Sequence, residues 1–351
     1  MKILLSRTDR IGDLILTTPA IATVRASFPS AHITMITSQY NHVVMNGNTD
    51  VDEVIDLPSE AKPGGFGKQF RGYDIAIALA PRTADLQLVG ATRAPLRVGY
   101  TYVRRYIARL TAPLYVNKLM LSEADPDLCD RDPSRTVRHE VDQLLDVVAL
   151  AGARTRVTGL RVTVSDEDRA AVAHLPERPI VLHLGQRWFE EGSTLENTVE
   201  LARELRALGV PLVITYAHEC DEQARAFAAA GVADVMLRDL SFHQWAAAFE
   251  RARCVVTVDT GATHVASAMR RPVVVAFEHR HFRLSSQEWA PYGVPYVSVR
   301  KPIGEDEPAL AELRSEIIAG VRSLETLASR APRDDKNTHR DDNGVEGRIG
   351  R

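Results

Sequence analysis

Short apolar runs alternate with helical patterns along the chain, and this alternation is the feature that most constrains the fold. The runs of the first half are residues 2–5, 32–37, 54–57 and 74–79, and those of the second half are 180–184, 211–216, 254–258 and 273–277. Continuous rather than alternating hydrophobicity is typical of strands that helices cover on both faces. The sequence therefore predicts parallel α/β architecture in both halves.

The length of 351 residues fits two domains of ordinary size. We predict a first domain at 1–158 and a second at 159–330. The remaining segment, 331–351, has five basic and five acidic residues and almost no apolar ones. Such a segment buries too little apolar surface to offset its ordering entropy, so we predict a disordered tail.

Charge and cysteine usage exclude several classes of protein. The chain has 43 basic and 46 acidic residues, whereas a dedicated nucleic-acid binder usually shows a basic excess. No apolar run approaches the ~20 residues that span a bilayer, and the amino terminus lacks the apolar core of a signal peptide. Three separated cysteines form no disulfide framework or zinc motif. We expect a cytoplasmic protein.

The segment S-R-T-D-R-I-G-D, residues 6–13, directly follows the first predicted strand. Ligands of doubly wound sheets bind outside the carboxyl ends of strands, which is where this loop falls. Gly12 permits a tight turn, and Asp13 would stand at the opening of the next helix. The helix dipole stabilises a carboxylate there by about 0.3–1 kcal/mol, so we expect Asp13 to be ionised and available as a general base. A simple helix cap is the alternative.

A second candidate is C-V-V-T-V-D-T-G-A-T-H, residues 254–264, which is typical of a strand, a glycine turn and a helix. The N–H groups of that helix, with the hydroxyls of Thr260 and Thr263, would form an anion site for phosphate. The segment is neither a dinucleotide fingerprint nor a Walker A loop, which disfavours hydride transfer and ATP hydrolysis. His264 either contacts a ligand or is a packed helix histidine.

A third candidate, H-L-G-Q-R-W-F-E-E-G-S-T at 183–194, also follows a predicted strand. Arg187 would pair with a phosphate through its planar guanidinium group. Trp188 would either stack on a base or pack internally. The neighbouring strand ends close to Glu219, a carboxylate suited to ribose hydroxyls.

Acidic and histidine clusters elsewhere give no convincing metal site. Asp50 and Asp52 form a D-x-D that precedes a strand, so a solvated turn is favoured over a metal site. The segment Glu278–His281 contains H-x-H without a third, helix-spaced ligand. We therefore predict no metal site.

Basic residues of the first half form a further candidate set. They lie in a predicted mobile loop at 60–72 or beyond it: Lys62, Lys68, Arg71, Arg93, Arg97, Arg104, Arg105 and Arg109. If they face a cleft they suit a phosphorylated or carboxylated ligand. A solvated surface is the alternative. Residues 122–138 are also predicted to be a loop.

Several of these segments together resemble one family, the heptosyltransferase-like glycosyltransferases of family nine, which act in bacterial lipopolysaccharide and related glycan assembly. The similar segments are the opening 1–21, N-T-D-V-D-E-V-I at 48–55, R-V-G-Y at 97–100, H-E-V-D at 139–142 and V-D-T-G-A-T-H-V-A-S-A at 258–268. The resemblance covers nearly the whole chain except the tail.

The resemblance implies a GT-B architecture, in which two Rossmann-like domains face each other across a cleft. The acceptor would bind domain 1–158, and the nucleotide-sugar would bind domain 159–330. The implied reaction is inverting and needs no metal or cofactor, with Asp13 as catalytic base. The residues implied on the donor side are Arg187, Asp259, Thr260, Gly261, Thr263 and His264, with Glu219 or Glu222 on the ribose. On the acceptor side we expect Arg10, Gly12, Lys62, Lys68 and Arg97.

The implied partners are a nucleotide-sugar, ADP-heptose first among them, and a phosphorylated or acidic glycolipid at the inner face of the inner membrane. Contact with the membrane would be peripheral. The sequence departs from the family at Glu278–His281, which replaces a usual G-P-T, and after Gly185, where a W-P pair is missing. Two alternatives stay open: a nucleotide-sugar epimerase on the same fold, and a non-catalytic paralogue that binds nucleotide or glycan.

Overall fold

The computed structural model describes residues 1–132 and 134–330, which form two parallel sheets covered by helices. The predicted tail at 331–351 lies outside these residues. The strands are β1 Lys2–Ser6, β2 His32–Ser38, β3 Glu53–Leu57, β4 Ile75–Ala78, β5 Leu96–Tyr102, β6 Lys118–Ser122, β7 Ile180–His183, β8 Leu212–Tyr216, β9 Val235–Arg238, β10 Cys254–Val258, β11 Val273–Phe277 and β12 Tyr296–Arg300. The helices are α1 Ile11–Ser27, α2 Pro63–Phe66, α3 Thr83–Ala91, α4 Tyr106–Thr111, α5 Pro126–Arg131, α6 Glu140–Leu150, α7 Asp166–Ala171, α8 Leu195–Arg206, α9 Asp221–Ala230, α10 Phe242–Glu250, α11 Gly261–Ala268, α12 Phe282–Glu288 and α13 Glu307–Arg330.

Both sheets have the same strand order. The first is β3-β2-β1-β4-β5-β6, and the second, read from its other edge, is β9-β8-β7-β10-β11-β12. Each is the 3-2-1-4-5-6 order of a Rossmann fold, so the order reverses between β1 and β4 and again between β7 and β10. The predicted α/β class is confirmed. Ligands of such folds bind at these reversal points, beyond the carboxyl ends of the strands.

The predicted strands formed where apolar runs are continuous, because helices cover both faces of each sheet. Ile3, Leu4 and Leu5 of β1 have no exposed surface, and the whole of β10 is buried. The strands β5, β6 and β12 carry polar residues within their runs, and the sequence pattern did not reveal them. Among the helices of the described residues, none is both long and apolar enough to cross a bilayer.

Helix α1 continues through Pro19, although a proline usually opens or kinks a helix. A proline has no N–H, so the carbonyl of Ile15 loses its usual helical donor. The Thr18 hydroxyl donates to that carbonyl oxygen at 2.7 Å instead. The helix therefore runs unbroken from the first candidate loop, with Asp13 as its third residue.

Two segments predicted as loops contain structure. Residues 60–72 form α2 and a following 3₁₀ turn, in which Phe70 is buried and lies edge-on to Phe66. A Cβ on Gly67 would lie only 2.2 Å from the carbonyl oxygen of Leu88, which shows how closely the turn packs on α3. In 122–138, Asp125 caps α5, and Cys129 is buried. Short helices with few apolar residues leave too little periodicity for sequence-based recognition.

The two sheets meet through the helices that follow β1 and β10. At this contact a Cβ on Gly12 would lie 3.3 Å from the Cα of Gly261 and 2.8 Å from Cδ2 of His264. Helix α12 crosses to the first sheet, where Glu288 accepts hydrogen bonds from Tyr102 at 3.3 Å and Gln143 at 3.2 Å. The contacts place the first and second candidate loops against each other.

Candidate active site

Two adjoining cavities occupy the space between the sheets, with volumes of about 710 and 810 Å³. Both are lined by Arg10, Arg187, Thr260 and Gly261, so they are parts of one cleft. The first cavity extends over β7, β8 and β9, and we call it the donor-side cavity because the sequence analysis expects a donor there. The second extends over the loops after β1, β4 and β5, and we call it the acceptor-side cavity for the corresponding reason.

Asp13 lines the acceptor-side cavity beside Gly12 and the start of α11. About a fifth of its side chain is exposed, and its Oδ1 lies 3.4 Å from Nη2 of Arg7. Burial raises the pKa of Asp13 to about 7, against the lowering effect of Arg7 and with smaller contributions from Asp9 and Glu140. At pH 7 the carboxyl group of Asp13 is therefore only partly ionised, whereas the sequence led us to expect an ionised carboxylate, because burial outweighs the helix dipole. A base of this pKa is suited to proton transfer near neutral pH.

The buried guanidinium of Arg7 organises this end of the cleft. It donates to Glu140 Oε1 at 2.9 Å through Nη1, to Asp9 Oδ1 at 2.9 Å through Nε and to the carbonyl of Leu79. The Tyr100 hydroxyl donates to the same oxygen of Glu140 at 2.6 Å, while the other oxygen of Glu140 has no hydrogen-bond partner among the described residues. Sequence reasoning gave Glu140 no role, although it lies in the quoted H-E-V-D segment.

Helix α11 begins at Gly261, with Thr260 as its N-cap. Thr260 and Gly261 line both cavities, as an anion site at this helix end requires. Thr263 does not contribute a hydroxyl to that site, because its side chain is buried and donates to the carbonyl of Val258. His264 lines the acceptor-side cavity, and burial lowers its pKa to about 3, so the ring is neutral.

Arg187 lies between two carboxylates at the junction of the cavities. Its Nη1 donates to Oδ2 and to the backbone oxygen of Asp259, both at 2.8 Å, and its Nε lies 3.5 Å from Oε1 of Glu278. Burial raises the pKa of Asp259, and Arg187 opposes this rise. Glu278, which departs from the family pattern, therefore lies directly beside Arg187, the residue predicted to bind phosphate. Sequence reasoning also missed Lys301, whose buried ammonium donates to the carbonyls of Arg187 and Glu190.

The far end of the donor-side cavity is aromatic and apolar. Its lining there includes His183, Tyr216, Leu237, Leu240 and Trp245. A flat apolar wall of this kind suits a nucleobase. Sequence reasoning gave Trp245 no role, since it lies inside an ordinary amphipathic helix.

Two of the alternatives left open on the donor side are decided by the positions of the side chains. Glu219 lines the donor-side cavity, whereas Glu222 is exposed on α9 and is not part of the lining. Trp188 is buried and donates through Nε1 to the carbonyl of His183 at 2.9 Å, so it packs internally. Of the two glutamates, only Glu219 is placed to meet a ligand in the cleft.

The basic residues at the acceptor-side cavity match those expected only in part. Those that line it, besides Arg7 and Arg187, are Arg10, Arg82, Arg104, Arg105 and Arg280. Lys62 and Lys68 are exposed on the segment packed against α3 and line neither main cavity. Arg97 is the second residue of β5 and lies near the amino end of that strand, away from the cleft, where it donates to the carbonyls of Tyr115 and Ala94. The expectation that these three line the cleft is therefore wrong.

The two aspartates of the D-x-D segment have structural partners. Asp50 pairs with Arg161 at 2.7 Å, and Asp52 accepts from Arg25 at 2.6 Å and from the Ile33 amide at 2.7 Å. Asp52 therefore holds the turn before β3, and Asp50 connects this turn to the segment between α6 and α7. No group of three or more His, Cys, Asp or Glu side chains within 1–132 and 134–330 is arranged to hold a metal ion.

Comparison with known proteins finds a family model that matches part of the chain. Residues 195–315 match the model of glycosyltransferase family 9 (heptosyltransferase). No curated protein matches the chain. The fold is similar to that of a family 9 glycosyl transferase from Veillonella parvula, with 19% identity, a TM-score of 0.74 and coverage of 93% of this chain and 97% of that one.

Two Escherichia coli structures are also similar. ADP-heptose lps heptosyltransferase II has 18% identity and a TM-score of 0.70, with coverage of 94% of this chain and 100% of that one. Heptosyltransferase WaaC with ADP has 18% identity and a TM-score of 0.64, with coverage of 94% and 98%. These relatives confirm the GT-B architecture expected from the sequence. The segment 195–315 thus resembles glycosyltransferase family 9, and the similar solved structures show the fold that the chain adopts.

Proposed function

We propose that the protein transfers a sugar from a nucleotide donor to a cell-envelope glycan acceptor, with inversion and without a metal ion. The observation that carries the proposal is the position of Asp13, a carboxyl with pKa about 7, where the acceptor-side cavity meets the start of α11. An inverting transfer needs one base beside the acceptor and a fixed positive site for the departing diphosphate. The cleft offers both within one continuous space.

The proposed reaction is a single displacement. Asp13 takes the proton of the acceptor hydroxyl as that oxygen forms its bond to the anomeric carbon. The bond from this carbon to the diphosphate oxygen breaks on the opposite face, and its electron pair leaves with the nucleoside diphosphate. The N-terminus of α11 and the side chains of Arg187 and Arg10 stabilise the departing charge.

We assign the donor to the second domain, 159–330, and the acceptor to the first, 1–158. The aromatic wall around Trp245 would hold the base, and Glu219 would bind the ribose hydroxyls. ADP-heptose is the first donor to test, because the E. coli relatives include a protein named for ADP-heptose and a complex with ADP. The arginines of the acceptor-side cavity suit a phosphorylated or acidic glycolipid of the lipopolysaccharide type, presented at the inner face of the inner membrane.

Nucleotide binding tests the donor assignment. In a thermal-shift series with ADP, UDP, GDP, CDP and CMP, we expect ADP to raise Tm most and magnesium to make no difference. A ligand at 100 times its Kd stabilises the folded state by about 2.7 kcal/mol, which is readily visible. A larger shift with another nucleotide would assign a different donor nucleotide but would leave the proposal of a transferase unchanged. A protein that responds to none of the five would favour the non-catalytic paralogue.

Turnover without acceptor separates the transferase from the epimerase alternative. The transferase should release nucleoside diphosphate from ADP-heptose only when an acceptor is present, apart from slow hydrolysis. An epimerase would convert the sugar of the nucleotide-sugar without any acceptor. Product analysis by NMR in the absence of acceptor decides between them.

The pH dependence of the reaction follows from the raised pKa of Asp13. The carboxylate is the active form, so kcat/KM should fall about tenfold per pH unit below about pH 7 and level off above it. The control is Asp85→Asn, because burial raises the pKa of Asp85 to about 6 and this residue does not line the cleft. The control should keep the inflection near pH 7. A flat profile between about pH 5.5 and 8 would contradict the assignment of Asp13.

A further inference from the structure

Helix α4 and the turn after it carry an apolar surface that nothing in the described structure covers. Tyr106, Ile107, Leu110 and Leu114 are 67%, 79%, 75% and 76% exposed. No residue of α4 is buried, although the helix reads Y-I-A-R-L-T. Four large apolar side chains exposed within nine residues exceed the scattered exposure that is normal for a protein surface. We call these four residues the α4 patch.

The chain segment that carries the α4 patch has charged residues of only one sign. From residue 86 to residue 122 the chain contains no Asp or Glu but six basic residues, in a protein with a formal charge of −3. They are Arg93, Arg97, Arg104, Arg105, Arg109 and Lys118. Arg104, Arg105 and Arg109 form no ion pair with any residue of the described ranges, and the guanidinium of Arg109 lies 5.4 Å from the ring centre of Tyr106. The exposed apolar side chains of α4 thus lie next in the chain to three arginines without an ion-pair partner in the described residues.

The α4 patch is also continuous with the acceptor-side cavity. Arg104 and Arg105 immediately precede α4 and line that cavity, together with Tyr102. Any partner surface bound to the α4 patch would therefore lie next to the entrance of the acceptor-side cavity. The same few residues connect the exposed helix to the proposed reaction.

We propose that the α4 patch seats the enzyme on an anionic lipid surface, with its apolar side chains in the interface and its arginines on the headgroups. Interfacial binding of this kind needs apolar area and positive charge on one face, and the patch has both. A second copy of the chain fits less well, because a two-fold contact through the patch would bring the arginines of both copies together. The inference deepens the proposed function by placing the source of a lipid-linked acceptor beside the cavity.

Vesicle binding tests this inference on the full chain without any need for turnover. Phosphatidylcholine vesicles are compared with an equimolar mixture of phosphatidylcholine and phosphatidylglycerol in a co-sedimentation assay. We expect binding to the mixed vesicles, little binding to the neutral ones, and weakening by salt. The double variant I107S/L110S should bind at least ~10-fold more weakly, since it removes the apolar contribution.

Two further variants make the test specific. Ile303→Ser removes an equally exposed apolar side chain elsewhere on the protein, 79% exposed, and should bind vesicles like the wild type. Arg109→Ser should weaken binding about fivefold, since one basic residue near an anionic leaflet contributes about 1 kcal/mol. Neither Ile107, Leu110 nor Arg109 lines either main cavity, so turnover of a water-soluble acceptor should persist in their variants.

Clear results would overturn the inference. Absence of wild-type binding to the mixed vesicles would do so, as would unchanged binding by I107S/L110S. A wild-type dimer in sedimentation equilibrium that becomes a monomer in I107S/L110S, without vesicle binding, would assign the patch to self-association instead. Vesicle binding with no turnover of any acceptor would leave the inference standing and count against the proposed function.

Discussion

Replacing Asp13 by alanine is expected to reduce turnover by at least ~100-fold, the lower range for loss of a general base. The acceptor hydroxyl would lose the carboxyl that lines its cavity beside Gly12 and the start of α11. The measurement is kcat with saturating donor and acceptor, by release of nucleoside diphosphate. Nucleotide binding should persist, because the predicted donor residues lie in the second half of the chain and belong to the other sheet and its loops. Near-normal turnover in this variant would remove Asp13 from its proposed role.

The isosteric variant Asp13→Asn separates catalysis from stability. The folded-state pKa of Asp13, about 7, lies above its ordinary value of 3.8, so the folded protein holds this proton more tightly than the unfolded chain. The contribution of Asp13 to the free energy of unfolding is therefore present at low pH and is lost as the pH rises from about 4 to 7. At about pH 8 the variant should have a Tm no lower than that of the wild type, although it is inactive. A lower Tm would show that the charged carboxylate supports the fold through Arg7.

Replacing Arg7 by methionine is expected to lower the free energy of unfolding by about 3–5 kcal/mol, the usual cost of breaking a buried ion pair. Arg7 and Glu140 are 2% and 1% exposed, and methionine would leave Glu140 as a buried charge without a cationic partner. The backbone carbonyl of Leu79 would also lose its donor. Urea denaturation at about pH 7.5, read by circular dichroism, measures the change.

Two controls show whether this loss comes from the buried pair. The double variant Arg7→Met/Glu140→Gln removes both charges and should be less destabilised than Arg7→Met alone. Arg169→Met breaks a more exposed pair with Glu250, at 2.8 Å, and should cost less than about 1 kcal/mol. If Arg7→Met lowered the free energy of unfolding no more than Arg169→Met does, the buried carboxylate of Glu140 would not need Arg7 for its stabilisation.

The departure from the family pattern at Glu278 has a structural consequence for the donor side. Its carboxylate lies 3.5 Å from Arg187, which already donates to Asp259. A bound diphosphate would have to share Arg187 with both carboxylates. The variant Glu278→Gln is therefore expected to bind nucleoside diphosphate more tightly, by a factor of up to about five for one partly exposed charge, as isothermal titration would measure. Unchanged or weaker binding would show that Glu278 does not compete for Arg187.

Local sequence patterns determined the class of fold and the main elements of the site. Continuous apolar runs predicted the buried strands, and the glycine-containing segments after β1 and β10 predicted the loops that now meet at Gly12 and Gly261. Each of these signals is local, because strand burial and helix opening depend on neighbouring residues. The positions of Asp13 and Arg187 at the cleft followed from the same rule about the carboxyl ends of parallel strands.

Tertiary structure alone decided which side chains share the cleft and in what protonation state. Arg82 follows β4 and Trp245 lies on α10, and neither carries a local signal that distinguishes it from an ordinary surface or core residue. Lys62 and Arg97 looked equally suitable in sequence, but packing placed them away from the cleft. The pKa of Asp13 rises because surfaces from both halves of the chain remove water from it, and that burial is a property of the folded whole.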